Sequence, residues 1–442
     1  MSNVPLMVNA FDPARVDALD GEVAALIARR AKVLGPSYKL FYEKPVHFVR
    51  AEGVRLYDAA GTPYLDVYNN VPSVGHCHPR VVEAIARQAA TLNTHTRYLY
   101  EVIVAYAERL VATFPAELTN AMFTCTGSEA NDLAFRIARC HTGSTGIIVT
   151  ANGYHGITAA VAAASPSLGY GVPLGPHVRT VPAPDTYRAG AAEVAARFTA
   201  DVQAAIDDLA RHGIKPALLV FDTIFSSDGV LPHPAGFIQG AVETVRRAGG
   251  LFVADEVQPG FARTGDAMWG FERHGVVPDI VSLGKPMGNG LPIAGIVARP
   301  EVLERFATTA RYFNTFGGNP VCCAAALAVL DVIEEEGLQR NALEVGGYMQ
   351  EGLRRFAEDD ERIGEVRGAG LFIGVDFVRD RRTREPDEAT GLIMVNRLRE
   401  RNILISASGP LGHVLKIRPP LPFSEADADE FLAAFGDALK LK

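Results

Sequence analysis

The sequence predicts an α/β protein: a mainly parallel sheet covered by helices, joined to a smaller α+β domain drawn from both ends of the chain. Three observations carry this reading. Short, continuously apolar runs alternate with stretches of helical periodicity, and such runs suit strands buried on both faces, as a parallel sheet requires. The 442 residues are 48% hydrophobic and 21% charged, which is enough chain to bury a sizeable core and to divide into two or three units. Towards both ends the alternation gives way to short strands and glycine turns.

Taken in order, residues 1–75 open with a helical stretch at 16–33 and continue with strand-like runs at 47–51, 54–58 and 64–68, separated by glycine turns. Residues 76–335 form the expected large domain, with strands at 121–124, 147–150, 217–221, 251–254, 280–283 and 293–298. A helix at about 320–336 closes it. Residues 336–442 return to strands at 370–377, 403–406 and 414–417 and end in a helix from Ser424. The Pro/Gly-rich stretch 165–176 and the charged run 379–388 read as loops, and no internal repeat is evident.

Composition excludes several function classes. With 43 basic and 51 acidic residues the net charge is −8, so there is no basic excess to bind nucleic acid. The longest apolar stretches fall far short of the about 18 residues of a membrane span. The first twenty residues lack the basic start and apolar centre of a secretory signal, which points to a reducing compartment and to the cytoplasm. The five cysteines, Cys77, Cys125, Cys140, Cys322 and Cys323, are odd in number and lack zinc-site spacing, so free thiols and no metal are expected. The run Gly75-His76-Cys77-His78-Pro79 reads as a turn, since one tight turn cannot easily aim three side chains at one ion.

Chemistry concentrates at three places. Thr126-Gly127-Ser128-Glu129-Ala130-Asn131 follows a predicted strand and opens a predicted helix. Unpaired N–H groups and a partial positive charge there favour an anion such as phosphate; the plainer reading is a capping box of Thr126 with Glu129. Leu251 to Gln258 is a buried strand ending in Asp255 and Glu256, at the carboxyl end where ligands of open α/β sheets gather. One acid suits a ligand cation; alternatively the acids cap the next turn. Finally, Ile280 to Gly290 ends a buried strand in Lys285 among glycines, a placement suited to a Schiff base with a carbonyl cofactor.

A phosphate cradle, an acid for a ring nitrogen and a lysine for an aldehyde occur in the order that pyridoxal 5'-phosphate requires. The chain resembles the class III, fold type I pyridoxal-phosphate aminotransferases along nearly its whole length. The carrying residues are Thr126 to Asp132, Tyr154-His155-Gly156, Asp255-Glu256-Val257-Gln258, Lys285 with its glycine-rich follower and Thr315-Phe316-Gly317-Gly318-Asn319-Pro320. The resemblance implies that Lys285 forms the Schiff base and shuttles the proton, while Asp255 keeps the pyridine nitrogen protonated. It implies Gln258 at the phenolic oxygen, Val257 on one ring face, Tyr154 on the other, and Gly127 with Ser128 on the phosphate. Thr315 would reach the phosphate of a neighbouring subunit, which implies a homodimer with shared active sites, with a tetramer also open.

Two positions depart from the family pattern. Asp222 stands where many members carry a glutamate, and Lys416 stands where the family's carboxylate-binding arginine is usual. A lysine cannot make the planar two-pronged contact of arginine; Arg418, two residues on, either substitutes for it or is structural. Tyr42 and Asn70 are further candidates for the substrate pocket. The wording of several stretches resembles the branch that holds alanine–glyoxylate-like aminotransferases and phospho-lyases of phosphorylated amines. The reading is therefore transamination between an amine or amino acid and a keto acid, with phosphate elimination as the alternative and racemisation a less favoured third.

Overall fold

In the computed structural model, which describes residues 7–440, the apolar runs become one seven-stranded sheet. Its strands are β1 (Asn120–Thr124), β2 (Gly146–Thr150), β3 (Val178–Val181), β4 (Pro216–Phe221), β5 (Leu251–Asp255), β6 (Ile280–Leu283) and β7 (Ala294–Ala298), ordered β1-β7-β6-β5-β4-β2-β3. Neighbours from β3 across to β6 run parallel, whereas β7 is antiparallel to both β6 and β1. Every residue of β2, β4, β5, β6 and β7 is buried. Alternate side chains serve opposite faces. Ile147, Val149, Leu218 and Val220 pack under the helix Gly127–Thr142, while Ile148, Leu219 and Phe252 face the helices Val194–Arg211 and Gln239–Arg247. The α/β class read from the sequence is thus the fold observed.

β3 is absent from the sequence reading. It lies at the sheet edge, Arg179 and Thr180 leave its pattern only half apolar, and these two are accessible while Val178 and Val181 at its ends are buried. An edge strand needs no continuous apolar run.

Two smaller sheets flank the large one. Phe48–Glu52, Arg55–Asp58 and Pro63–Asp66 form antiparallel pairs, and Ile403–Leu404 adds to Pro63–Asp66 in parallel. The stretch 403–406 therefore divides: Ile403–Leu404 joins the N-terminal strands, while Ser406–Ser408 pairs with Val414–Ile417 in the C-terminal sheet. Tyr42 bolts this junction, its hydroxyl donating to Ile405 O at 3.0 Å and accepting from Ile405 N at 3.1 Å.

Three boundaries differ from expectation. The stretch 16–33 is a short turn, Pro13–Ala18, followed by the helix Gly21–Val33, because Asp20 accepts from Glu22 N at 2.9 Å and starts the helix afresh. The strand expected at 370–377 is the second arm of a hairpin, Phe372–Asp380 after Ile363–Ala369, with Gly370 at φ 51° in the turn. The charged run at 379–388 is partly ordered, since Glu385–Pro386 pairs back onto Phe372–Asp380. The first six residues and the last two, assigned to the small domain, lie outside the described residues.

The hairpin turn sits against the helix Leu338–Asp359, where a Cβ on Gly346 would come 2.1 Å from Gly370 O. Gly346→Ala should destabilise the protein by about 1–3 kcal/mol through overpacking. A urea midpoint equal to that of the parent would contradict this packing argument.

Candidate active site

The ends of β4, β5 and β6 and the start of the helix Gly127–Thr142 converge on one cleft. Gly127, Ser128, Tyr154, His155, Gly156, Asp222, Asp255, Val257, Gln258 and Lys285 line it. Eight of these are residues that the sequence singled out; His155 and Gly156 join them.

At the helix start the capping reading and the anion reading prove compatible. Thr126 Oγ1 accepts from Glu129 N at 3.1 Å, and the Glu129 carboxylate accepts from Cys125 N at 2.7 Å and Thr126 N at 3.3 Å. Among the described residues no protein acceptor takes the N–H of Gly127 or Ser128. The box sets the helix and leaves two donors for an anion. A Cβ on Gly127 would sit 3.1 Å from Val257, so glycine lets the strand end approach. Gly156, at φ 140°, crosses Ser128 so closely that a Cβ would meet Ser128 Oγ at 2.5 Å, and Ile157 N donates to that oxygen at 3.0 Å.

Asp255 is held as an acceptor. Its Oδ2 receives His155 Nδ1 at 2.8 Å and Asn131 Nδ2 at 3.0 Å, and its Oδ1 receives Val257 N at 3.1 Å. Because a carboxylate oxygen can only accept here, the His155 ring carries a proton on Nδ1. His155 and Asn131 are the site residues that sequence reasoning missed. Both lie inside its quoted motifs, and the only available signal was two polar residues at positions facing a buried strand end.

Lys285 follows β6 at φ 23°. Its amine is pushed down to about 8, first by burial and then by the Arg418 charge, against the pull of Asp255 and Asp222. A buried amine that is neutral in part near pH 8 is a nucleophile. Burial, and then Asp255, raise the Tyr154 phenol.

Behind the cleft wall runs a second polar line. Gln258 Oε1 accepts from Arg418 Nη1, Gln258 Nε2 donates to Ser226 Oγ at 2.6 Å, and Ser226 Oγ donates to Asp222 Oδ2 at 2.7 Å. Of the five residues that the sequence assigned to substrate, only Asp222 lines the cleft. Tyr42 is spent on Ile405, and Asn70 Nδ2 donates to Gln258 O at 3.0 Å. Arg418 Nε donates to Tyr68 O at 3.0 Å. Lys416 is buried on Val414–Ile417, its ammonium 5.6 Å from the centre of the Phe372 ring. Burial, then Arg418, holds that amine well below its usual range. Thr315 is exposed on a loop outside the cleft. In the turn 75–79, His76 pairs with Asp66 at 2.7 Å and His78 with Glu336 at 3.0 Å, and no described cluster could hold a metal ion.

The family profile "Aminotransferase class-III" matches residues 41–439. The chain belongs to the class III aminotransferases. It is 41% identical, over 93% of its length and 86% of the relative's, to "Alanine–glyoxylate aminotransferase 2-like" of Drosophila melanogaster. It is 40% identical, over 92% and 86%, to "Alanine–glyoxylate aminotransferase 2 homolog 2, mitochondrial" of Arabidopsis thaliana. Among solved structures, a phospholyase from Arthrobacter in complex with phosphoethanolamine superposes with a TM-score of 0.91 at 44% identity, covering 94% of this chain and 100% of that one.

Class III aminotransferases are pyridoxal-phosphate enzymes. The cleft fits that group by its own chemistry: two unengaged amides at a helix N-terminus, a buried carboxylate fixed as acceptor, and a buried amine of lowered basicity. Because only the neutral amine attacks an aldehyde, capture of pyridoxal phosphate by the stripped protein should accelerate through a midpoint near 8 rather than at the ordinary 10.5. Stopped-flow absorbance from pH 6 to 11 would record it. A midpoint near 10.5 would show that Lys285 is not held in the buried setting described.

Proposed function

We propose that this class III aminotransferase moves an amino group from an amine or amino acid to a keto acid, with Lys285 as the group that carries and returns the proton at the substrate α-carbon. The observation that carries the reading is the buried amine of Lys285, lowered to about 8, in one cleft with Asp255. A base is most useful when its pKa lies near the working pH. When bound, the cofactor supplies an electron-withdrawing ring beside the bond to be broken. The chain's own residues do the rest. Gly127 and Ser128 take the phosphate with their backbone donors, Tyr154 and Val257 flank the ring, and Gln258 meets its phenolic oxygen. Asp255, kept in place by His155 and Asn131, faces the pyridine nitrogen and favours its protonated form.

A second reading, elimination of phosphate and ammonia from a phosphorylated amine, has a specific observation in its favour. No arginine is among the described residues that line the cleft, so those lining residues do not offer the usual fork for an α-carboxylate. Similarity to the Arthrobacter phospholyase points the same way. In a single-turnover experiment without keto acid, transamination should convert the cofactor to pyridoxamine phosphate with one equivalent of carbonyl product. Repeated release of phosphate and ammonia from phosphoethanolamine would decide for elimination, and Lys285→Ala should abolish either reaction.

We propose further that two copies share their active sites, Thr315 reaching the partner's phosphate. Tyr98, Leu99, Phe313 and Phe316 are all exposed, Leu99 to 96%; Phe313 and Phe316 lie within two residues of Thr315 in the chain, and the His95 ring touches both Tyr98 and Phe313, exposed apolar groups that call for cover. The division at 75/76 and 335/336 is kept as the domain organisation, supported by a large sheet confined to Asn120–Ala298. The five unpaired cysteines support a reducing compartment, which we take to be the cytoplasm. The protein should sediment as a dimer, and Leu99→Asp with Phe316→Asp should yield monomers and cost most of the activity. A fully active monomer would refute the shared site.

A further inference from the structure

We infer that Arg418 is a positioning residue: it decides which end of the Gln258 side-chain amide faces the cleft, and so makes Gln258 a donor towards the cofactor's phenolic oxygen. The inference rests on the cofactor reading above and adds to it a residue that touches neither cofactor nor substrate.

A glutamine amide has a donor end and an acceptor end of nearly the same shape, and half a turn exchanges them. Its polarity must therefore come from neighbours that are unable to switch. Arginine is such a neighbour, since its guanidinium only donates and stays charged. Arg418 is itself immobilised: Nε donates to Tyr68 O at 3.0 Å, and the guanidinium lies 4.6 Å from the centre of the Tyr68 ring. With Nη1 donating to Gln258 Oε1, the oxygen end of the amide is committed to Arg418.

The other end is matched to this choice. Gln258 Nε2 donates to Ser226 Oγ at 2.6 Å. Ser226 can accept because its own hydrogen goes to Asp222 Oδ2 at 2.7 Å, while its backbone N–H donates to the same oxygen at 2.9 Å. From Arg418 to Asp222 every bond points the same way. Reversing the amide would set N–H₂ against a guanidinium and leave Ser226 Oγ facing an oxygen, two losses at buried groups. Asn70, bonded to Gln258 O at 3.0 Å, holds the backbone from which the side chain departs. Nε2 keeps a second N–H that no bond in this line uses, and Gln258 lines the cleft. A donor held against a phenolic oxygen favours its ionised form.

The same geometry answers the question that the sequence left open. Arg418 is buried and engaged on two sides, so it is structural towards substrate.

The test is a double-mutant cycle on holoenzyme, read from the visible absorbance of bound cofactor against pH, which reports the phenolic oxygen without turnover. Gln258→Leu should raise the midpoint of that transition, because the oxygen loses its donor. Arg418→Met should raise it too, partly through the amide and partly because its charge is removed from near Lys285. In the Gln258→Leu background the Arg418→Met shift should therefore shrink to less than half. Arg418→Lys, which keeps a charged donor, should restore most of the parent behaviour. Additive shifts would overturn the inference while leaving the Gln258 reading intact. No shift from Gln258→Leu would overturn both. Should Arg418→Met fail to fold, Arg418→Gln replaces it in the cycle with the same two outcomes.

Discussion

The site depends on three backbone segments meeting at close quarters. Gly127 opens its helix directly against Val257, and Gly284 lies against the Gly127 backbone, its missing Cβ only 3.4 Å from Gly127 Cα. One segment brings the helix N-terminus, one the carboxyl end of β5, and one the turn that carries Lys285. Close backbone approach is the use of glycine here. It brings an anion site and a strand-end acid up to the turn from which the Lys285 amine extends.

Burial then assigns chemical character. The cleft and its rear wall gather Lys285, Lys416 and Arg418 with Asp222, Asp228 and Asp255. Removal from water is the largest cause of the shifts at Lys285, Lys416, Asp222 and Asp228, lowering the two amines and raising the two acids, Asp228 to about 7. Such clusters are costly unless hydrogen bonds complete them. Here they do: Asp228 takes Thr150 at 2.7 Å, Asp222 takes Ser226, and Asp255 takes His155 and Asn131. The chain therefore holds a polar arrangement that is organised before any substrate arrives.

Legibility from sequence followed burial. Strands such as β4, buried on both faces, were plain because nothing polar interrupts them. Ile363–Ala369 was hidden because it carries Arg367, a charge that the fold buries against Asp376 at 2.9 Å and Glu365 at 2.6 Å. No local pattern announces a partner nine residues away on the next strand. β3 was hidden by being half apolar at an edge. In the site, residues that act through short motifs were readable, whereas His155 and Asn131, which act on Asp255, were not.

The sequence alone determined the fold class, the family and most of the residues that line the cleft, because strand ends, helix starts and glycines sit next to those residues in the chain. Tertiary structure alone decided which side chains face the cleft and which stand behind it. Tyr42, Asn70, Lys416 and Arg418 are polar residues of ordinary appearance, and Arg418 lies 160 residues from the Gln258 it bonds. Burial and hydrogen-bond direction are properties of what surrounds a residue in space, and only folding brings those surroundings together.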